Sequence, residues 1–223
     1  YMVDGFCTTG RKDISITLSP RGKAKSAELK AKYPDMVTVA QSNQEVVDSA
    51  DWIVLAVLPQ QAEEVLSELH FTPEKKLLSL VSTLRLSDAK KYTGELSLMA
   101  EVVPLSFVAR RMGPIVLYPV IEEARELLSL VGDVVAVDSA QEMAVLRAET
   151  GMMSAFHMLA ATFVDWCCEN GMEEPAARQY TTSFFSALCT MEQHWPGDLK
   201  DFAREMTPGG LNWQGLKYLE EKN

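Results

Sequence analysis

Apolar residues are spaced in two different ways along this chain. Up to about residue 139, short apolar runs alternate with stretches that repeat at helical spacing. Residues 14–18 form a β-branched run ending at Ser19-Pro20, and residues 24–33 read as a helix stopped near Pro34. A brief strand at 37–39 leads to a short helix at 43–49, capped by Ser42 or Asn43. Residues 52–57 are a continuous apolar run of strand length, the pattern of a strand buried on both faces of a parallel sheet. A helix at 60–69 follows, then strands at 77–81, at 97–103 before Pro104, and at 115–118. A helical stretch at 121–131 stops at Gly132, and 134–137 closes the strand set. Such alternation predicts an α/β architecture of βαβ units: a mainly parallel sheet with helices on both faces.

Beyond Ser139 the spacing is helical throughout. Residues 140–170 contain one glycine and no proline, long for a single helix, and helical stretches at 174–193, 199–205 and 208–221 follow. The expected organisation is therefore a domain at 1–139 and an all-helical domain at 140–223. The second has little core of its own. Met152, Phe156, Leu159, Phe163, Trp166, Phe184 and Phe185 need a partner surface, which predicts a homodimer through these helices, or a higher oligomer built from it.

Composition narrows the function classes. Of 223 residues, 47% are hydrophobic and 23% charged, as in an ordinary globular protein. A net charge of −10 argues against nucleic-acid backbone binding. No apolar run approaches the ~18 residues of a membrane span, and no signal-peptide pattern opens the chain. Cys7, Cys167, Cys168 and Cys189 include no Cys-x-x-Cys, which fits a reduced, cytoplasmic protein. His70, His157 and His194 lack metal-site spacing, so no metal is expected. No Gly-x-Ser-x-Gly elbow supports a hydrolase, and residues 140–170 hold no lysine to serve a hydroxyacid dehydrogenase as acid.

Two segments carry candidate chemistry. A dinucleotide fold opens with a strand, Gly-x-Gly-x-x-Gly and a helix, and that loop is absent from the sequence. Residues 1–10 read instead as the end of a helix, which makes 14–18 the second strand. The first strand and its phosphate loop are then expected to have been removed from this chain or never to have belonged to it. The turn Ser19-Pro20-Arg21-Gly22-Lys23 after 14–18 contains no acidic residue, which favours the 2′-phosphate of NADP over the free ribose of NAD. Near the C-terminus, Thr207-Pro208-Gly209-Gly210-Leu211-Asn212 reads as a helix start, with Thr207 as N-cap and Pro208 as first helical residue. Its glycines would let backbone N–H groups approach a carboxylate.

With these segments in place, most of residues 14–219 resembles the pyrroline-5-carboxylate reductase family. Asp51-Trp52-Ile53-Val54-Leu55-Ala56-Val57-Leu58-Pro59-Gln60 is similar to its strand ending in Ala-Val-Lys-Pro-Gln. Residues 192–201, Glu-Gln-His-Trp-Pro-Gly-Asp-Leu-Lys-Asp, resemble its Glu-x-His-Pro-x-x-Leu-x-Asp stretch, and Thr207-Pro208-Gly209-Gly210 matches its [Ser/Thr]-Pro-Gly-Gly. The resemblance implies a Rossmann-like domain lacking its first strand, followed by a helical dimerisation and substrate domain. It implies NADPH-dependent hydride transfer to a small carboxylated cyclic imine, giving proline, as in amino-acid biosynthesis. Thr207, Gly209 and Gly210 would hold the substrate carboxylate, with Glu192 near the substrate. Asn212 would stand near the imine nitrogen, where the family has Thr. Ser19, Arg21 and Asn43 would bind the cofactor's adenosine side, and Ala56, Val57 and Pro59 its nicotinamide–ribose side.

The departures bear on the substrate. The family's Met-Pro-Asn-[Thr]-Pro is Val103-Pro104-Leu105-Ser106-Phe107, and the Arg before it is Glu101. The turn lysine is Leu58, the Gly-Ser-Gly-Pro-Ala segment is Gly151-Met152-Met153-Ser154-Ala155, and Leu211 replaces a small residue. A more apolar pocket leaves two alternatives open: reduction of a different imine or keto acid, or a catalytically silent dimeric binding or regulatory protein.

Overall fold

The computed structural model describes residues 1–205 and 207–222. Short helix α1 (Met2–Cys7) precedes β1 (Ile16–Leu18), α2 (Lys23–Lys32), β2 (Val37–Val39), α3 (Asn43–Ser49) and β3 (Trp52–Leu55). Then come α4 (Ala62–Ser67), β4 (Lys76–Ser79), α5 (Leu86–Thr93), β5 (Leu98–Pro104), β6 (Pro114–Tyr118), α6 (Glu122–Leu128) and β7 (Asp133–Ala136). The remainder is helical: α7 (Ala140–Glu149), α8 (Met153–Glu169), α9 (Glu174–His194), α10 (Leu199–Arg204) and α11 (Leu211–Lys222). The fold is a Rossmann-like, mainly parallel α/β arrangement followed by helices.

Strand order explains the N-terminal half. β1 pairs in parallel with β2, Ile16 opposite Val37 and Leu18 opposite Val39. A separate five-stranded sheet runs β3-β4-β5-β6-β7, parallel except where β6 turns back against β5 and sets Glu101 opposite Tyr118. Doubly wound sheets have the order 3-2-1-4-5-6. Here β2-β1 stands for the first two places and β3-β4-β5 for the last three, and no described residue takes the central place between β1 and β3. That central strand is the one whose turn normally carries the phosphate-binding glycines.

Burial in the sheet follows the hydrophobic pattern in its central strands. Leu78, Ala100, Val102, Ile115, Leu117, Leu128 and Val131 pack in one cluster, with Phe6 from α1 among them. Ile53, Leu55, Ala62, Leu66, Leu77 and Met99 form a second. α1 lies close against the turn Ser106–Arg110: a Cβ at Gly5 would collide with the Val108 carbonyl, so only glycine permits the approach. The expected two-sided burial of β3 fails at Val54, which is 41% exposed although its register neighbour Leu78 is fully buried.

Compactness divides the chain into Tyr1–Thr150 and Gly151–Asn223. The expected division at 139/140 falls one helix earlier. α7 goes with the first unit because Met143, 1% exposed, packs with Val116 and Val137. Its start is a capping box: the Glu142 N–H donates to Ser139 Oγ at 3.1 Å, and the Ser139 N–H donates to Glu142 Oε2 at 3.0 Å. The single helix expected over 140–170 is interrupted by a tight turn at Thr150–Met152, where Gly151 weakens helical continuity. One helix, α5, was absent from the periodicity reading. It follows Arg85 without a side-chain cap, and its polar Ser87, Asp88, Lys90 and Lys91 obscure the buried Ala89 and Thr93.

The second unit holds α8 to α11. Phe163 meets Phe185 edge-on with centroids 5.7 Å apart, Phe156 lies 5.6 Å from Phe185, and Trp195 stacks on Phe202 at 4.4 Å. No helix among the described residues is long and apolar enough to cross a membrane.

Candidate functional site

The carboxyl ends of β1, β3, β4 and β5 are where an open α/β sheet binds its ligand. At the end of β1 the chain turns through Ser19-Pro20-Arg21 into α2, whose N-cap is Gly22. Ser26, buried on α2, donates its hydroxyl to the carbonyls of Ser19 and Gly22, both at 3.0 Å, and so fixes the turn against the helix. The Ser19 hydroxyl donates to Asn43 Oδ1 at 2.7 Å and accepts from the Arg21 N–H at 3.3 Å. Three of the predicted residues, Ser19, Arg21 and Asn43, are thus brought together although 24 positions separate Ser19 from Asn43.

Asn43 owes its place to the start of α3. Ser42 caps that helix by accepting from the Glu45 N–H at 3.1 Å, and Glu45 Oε2 accepts from the Gln41 N–H at 2.7 Å. The turn offers hydroxyl, amide and guanidinium groups and no carboxylate, with Arg21 exposed. This set fits an adenosine 2′-phosphate, since Arg supplies charge-assisted hydrogen bonds and nothing repels the anion. No glycine-rich phosphate turn is present among the described residues.

At the end of β3, Ala56 and Val57 lead into Leu58, which accepts from the Gln61 N–H at 2.9 Å and begins the tight turn Pro59–Gln61. Ala56 is exposed, Val57 and Pro59 half-buried. Small and apolar groups at a strand end suit the flat face of a ring.

The second unit corrects the reading of Thr207-Pro208-Gly209-Gly210. Pro208 does not begin a helix, and Thr207 is not its N-cap: α11 starts at Leu211. Gly209 has φ +80°, which no helical residue adopts, and the Gly210 N–H donates to the Thr207 carbonyl at 3.0 Å. Proline second and a left-handed glycine third are the marks of a type II β-turn. The turn delivers the chain to α11, where the Gln214 N–H bonds the Gly210 carbonyl at 3.0 Å and the Gln214 amide donates to the Gly209 carbonyl at 2.9 Å. In such a start the N–H groups of Leu211, Asn212 and Trp213 have no partner within the helix. Thr207 and Asn212 are exposed beside them. Glu192 lies in the last turn of α9, exposed, its carbonyl accepting from the Trp195 N–H at 3.2 Å. Met206 lies outside the described residues.

Sequence reasoning noted Glu101 only as a departure and overlooked Arg147 and Ser82. The signal was available. A lone carboxylate inside the otherwise apolar strand Leu98–Pro104 requires a cation. Arg147 is that cation, its Nη2 3.5 Å from Glu101 Oε2. Among the described residues no group of three or more His, Cys, Asp or Glu is gathered as a metal site.

Residues 2–85 match the family described as NADP oxidoreductase, coenzyme F420-dependent. The chain is 25% identical over 227 residues to a pyrroline-5-carboxylate reductase from Pseudomonas aeruginosa, covering 97% of this chain and 82% of that protein. Among solved structures, a 1-pyrroline-5-carboxylate reductase from Streptococcus pyogenes superposes with a TM-score of 0.82 at 19% identity, over 100% of this chain and 86% of that one. A pyrroline carboxylate reductase from Plasmodium falciparum with NADP bound gives 0.73 at 16% identity, over 96% and 92%. This chain is thus similar to those reductases over most of its length and shares their fold.

Proposed function

We propose that this chain moves hydride from NADPH to the carbon of a small cyclic imine bearing a carboxylate, with pyrroline-5-carboxylate giving proline as the leading case. The observation that carries the reading is the Thr207–Gly210 turn opening α11, a cluster of outward N–H groups and a hydroxyl fit for a carboxylate. The acid-free Ser19–Arg21 turn against Asn43 supports NADPH as the reductant.

Bound NADPH would supply the hydride. The protein's share is binding and orientation. Thr207 and the N–H groups of Leu211 and Asn212 hold the carboxylate, with Gly209 and Gly210 shaping the approach, and Glu192 lies on the substrate side. The Asn212 side chain can bond the imine nitrogen. Since an imine enters protonated more readily than a ketone, no strong acid is needed there. Ser19, Arg21 and Asn43 hold the 2′-phosphate, while Ala56, Val57 and Pro59 face the nicotinamide ribose. Holding a reactant in place removes part of the entropic cost of the bimolecular step.

A second reading, reduction of a different imine or a keto acid, is favoured by one stretch. Pro104 ends β5, and Leu105 follows where the family resemblance sets a polar asparagine, with Phe107 at the place of its second proline; Phe107 is 38% exposed. The exposed apolar side chains of α8 and α9, Phe156, Leu159, Phe163, Trp166, Tyr180 and Phe184, are the surface of a homodimer in this reading. Four free cysteines suit the cytoplasm.

The test is NADPH oxidation by the purified protein with pyrroline-5-carboxylate, its six-membered homologue and a panel of keto acids. Turnover of the five-membered imine supports the leading reading, and turnover of another substrate alone supports the second. Absence of both turnover and NADPH binding sinks both readings and leaves a silent binding protein. Replacing Arg21 by Asp should raise KM for NADPH about 10- to 100-fold and KM for NADH little, the size of one lost charge-assisted bond.

A further inference from the structure

Glu101 lies in the middle of β5 and is 9% exposed, between strands that are almost wholly apolar. Its counter-ion comes from a different layer. Arg147, on α7, reaches Glu101 with Nη2 at 3.5 Å and donates from Nη1 to the Ser82 carbonyl at 2.7 Å. One guanidinium therefore ties α7 both to β5 and to the segment that follows β4. Its Nε is buried and has no acceptor among the described residues, so the other two contacts set the plane of the group there. A cavity of about 210 Å³ adjoins it, lined by Leu80, Ser82, Val102, Val103, Pro104 and Arg147.

The segment 80–84 is held at its ends, where the Leu80 N–H bonds the Leu55 carbonyl at 2.9 Å and Val81 and Leu84 are buried, while Ser82 and Thr83 between them are exposed. The Leu84 N–H bonds the Val81 carbonyl at 3.2 Å, and the Val81 N–H reaches the Ser79 hydroxyl at 3.4 Å. It leaves the carboxyl end of a parallel strand, the edge at which open α/β sheets place ligands. We infer that Arg147, oriented by Glu101, is a positioning residue that fixes segment 80–84 through the Ser82 carbonyl and thereby sets the wall against which the reacting end of the ligands rests. This deepens the reductase reading and rests on it for the kinetic consequence. The ordering of the segment does not.

The variants are R147M, R147K, E101Q and the double variant R147M/E101L, which removes both charges and leaves no carboxylate buried alone. Amide hydrogen exchange over residues 80–84 is expected to rise tenfold or more in R147M and in the double variant, and less in E101Q. R147K should return it towards wild type, because a lysine can serve the same carbonyl and carboxylate. With the imine substrate, kcat should fall about tenfold in the double variant while KM for NADPH stays within twofold. A merely structural anchor would lower the melting temperature and leave that split unmoved. A folded double variant with wild-type exchange at 80–84 overturns the inference, as does wild-type kcat in that variant. If the wild-type protein turns over no imine, the reductase reading fails while the exchange result still decides whether Arg147 orders the segment.

Discussion

Substituting Gly209 isolates the contribution of a single backbone angle to the carboxylate binding proposed for this turn. Its φ is +80°, and an ideal Cβ at this position meets nothing within 4 Å, so side-chain crowding adds no cost. The penalty for an L-residue is then the left-handed backbone itself, about 1–2 kcal/mol for alanine, less for asparagine and more for β-branched valine. That range corresponds to a factor of roughly 5–30 in the population of the closed turn. Opening the turn breaks the Gly210–Thr207 bond at 3.0 Å and frees the Gln214 amide from Gly209, so the N–H groups of α11 lose their aim. KM for the carboxylated imine should therefore rise in the order Gly, Asn, Ala, Val, reaching at most about 30-fold for alanine. The limiting kcat should change little, and the dissociation constant of NADPH should stay near its original value, because its proposed contacts lie in the other compact unit.

Initial rates at varied imine concentration, run beside a ring of the same size without the carboxylate, make the measurement. The neutral ring should be insensitive to the whole series. Equal KM values for glycine and valine at position 209 would refute the reasoning. So would an asparagine variant worse than alanine, since asparagine tolerates the left-handed region better.

Two predictions concern stability. Gly5→Ala should cost about 1–3 kcal/mol in urea unfolding, since the added methyl collides with the Val108 carbonyl where α1 meets the 106–110 turn; an unchanged midpoint would deny that contact. Asp4 accepts from Lys32 at 2.6 Å and from the Tyr33 hydroxyl at 2.9 Å. The Lys32 bond, chiefly, holds its carboxyl below the ordinary 3.8, against the opposing effect of burial. A depressed carboxyl stabilises the fold above its unfolded value and loses that contribution as pH falls through the folded one. Asp4→Asn should accordingly lower the melting temperature at pH 7, with the difference from wild type shrinking as pH falls below the ordinary carboxyl value and through the depressed one. A constant difference across that window would show that the ion pair is not the cause.

Much of the candidate site is legible in short segments because the features that suggest it are local. A turn without acid after Leu18, a small apolar strand end at Ala56-Val57, and Pro-Gly-Gly before a helix each state their chemistry within a few residues. Even so, Pro208-Gly209 carried two meanings. Proline suits both the first turn of a helix and the second position of a β-turn. Only the φ of Gly209 chose between them. The Ser19–Asn43 bond joins two segments that sequence could mark separately but not pair.

By itself the sequence determined the alternation of strands and helices and the change to an all-helical pattern, because those follow from periodicities of about two and 3.6 residues. It also determined the polar, acid-free character of the Ser19–Arg21 turn. Tertiary structure decided which strands are neighbours, leaving β1-β2 apart from the five-stranded sheet, and placed α7 with the first unit through buried Met143. It alone joined Glu101 to Arg147 and Ser82, across 46 and 65 positions counted from Arg147 (147 − 101 and 147 − 82). Contacts over such separations depend on how layers stack, and no local pattern of side chains encodes the stacking.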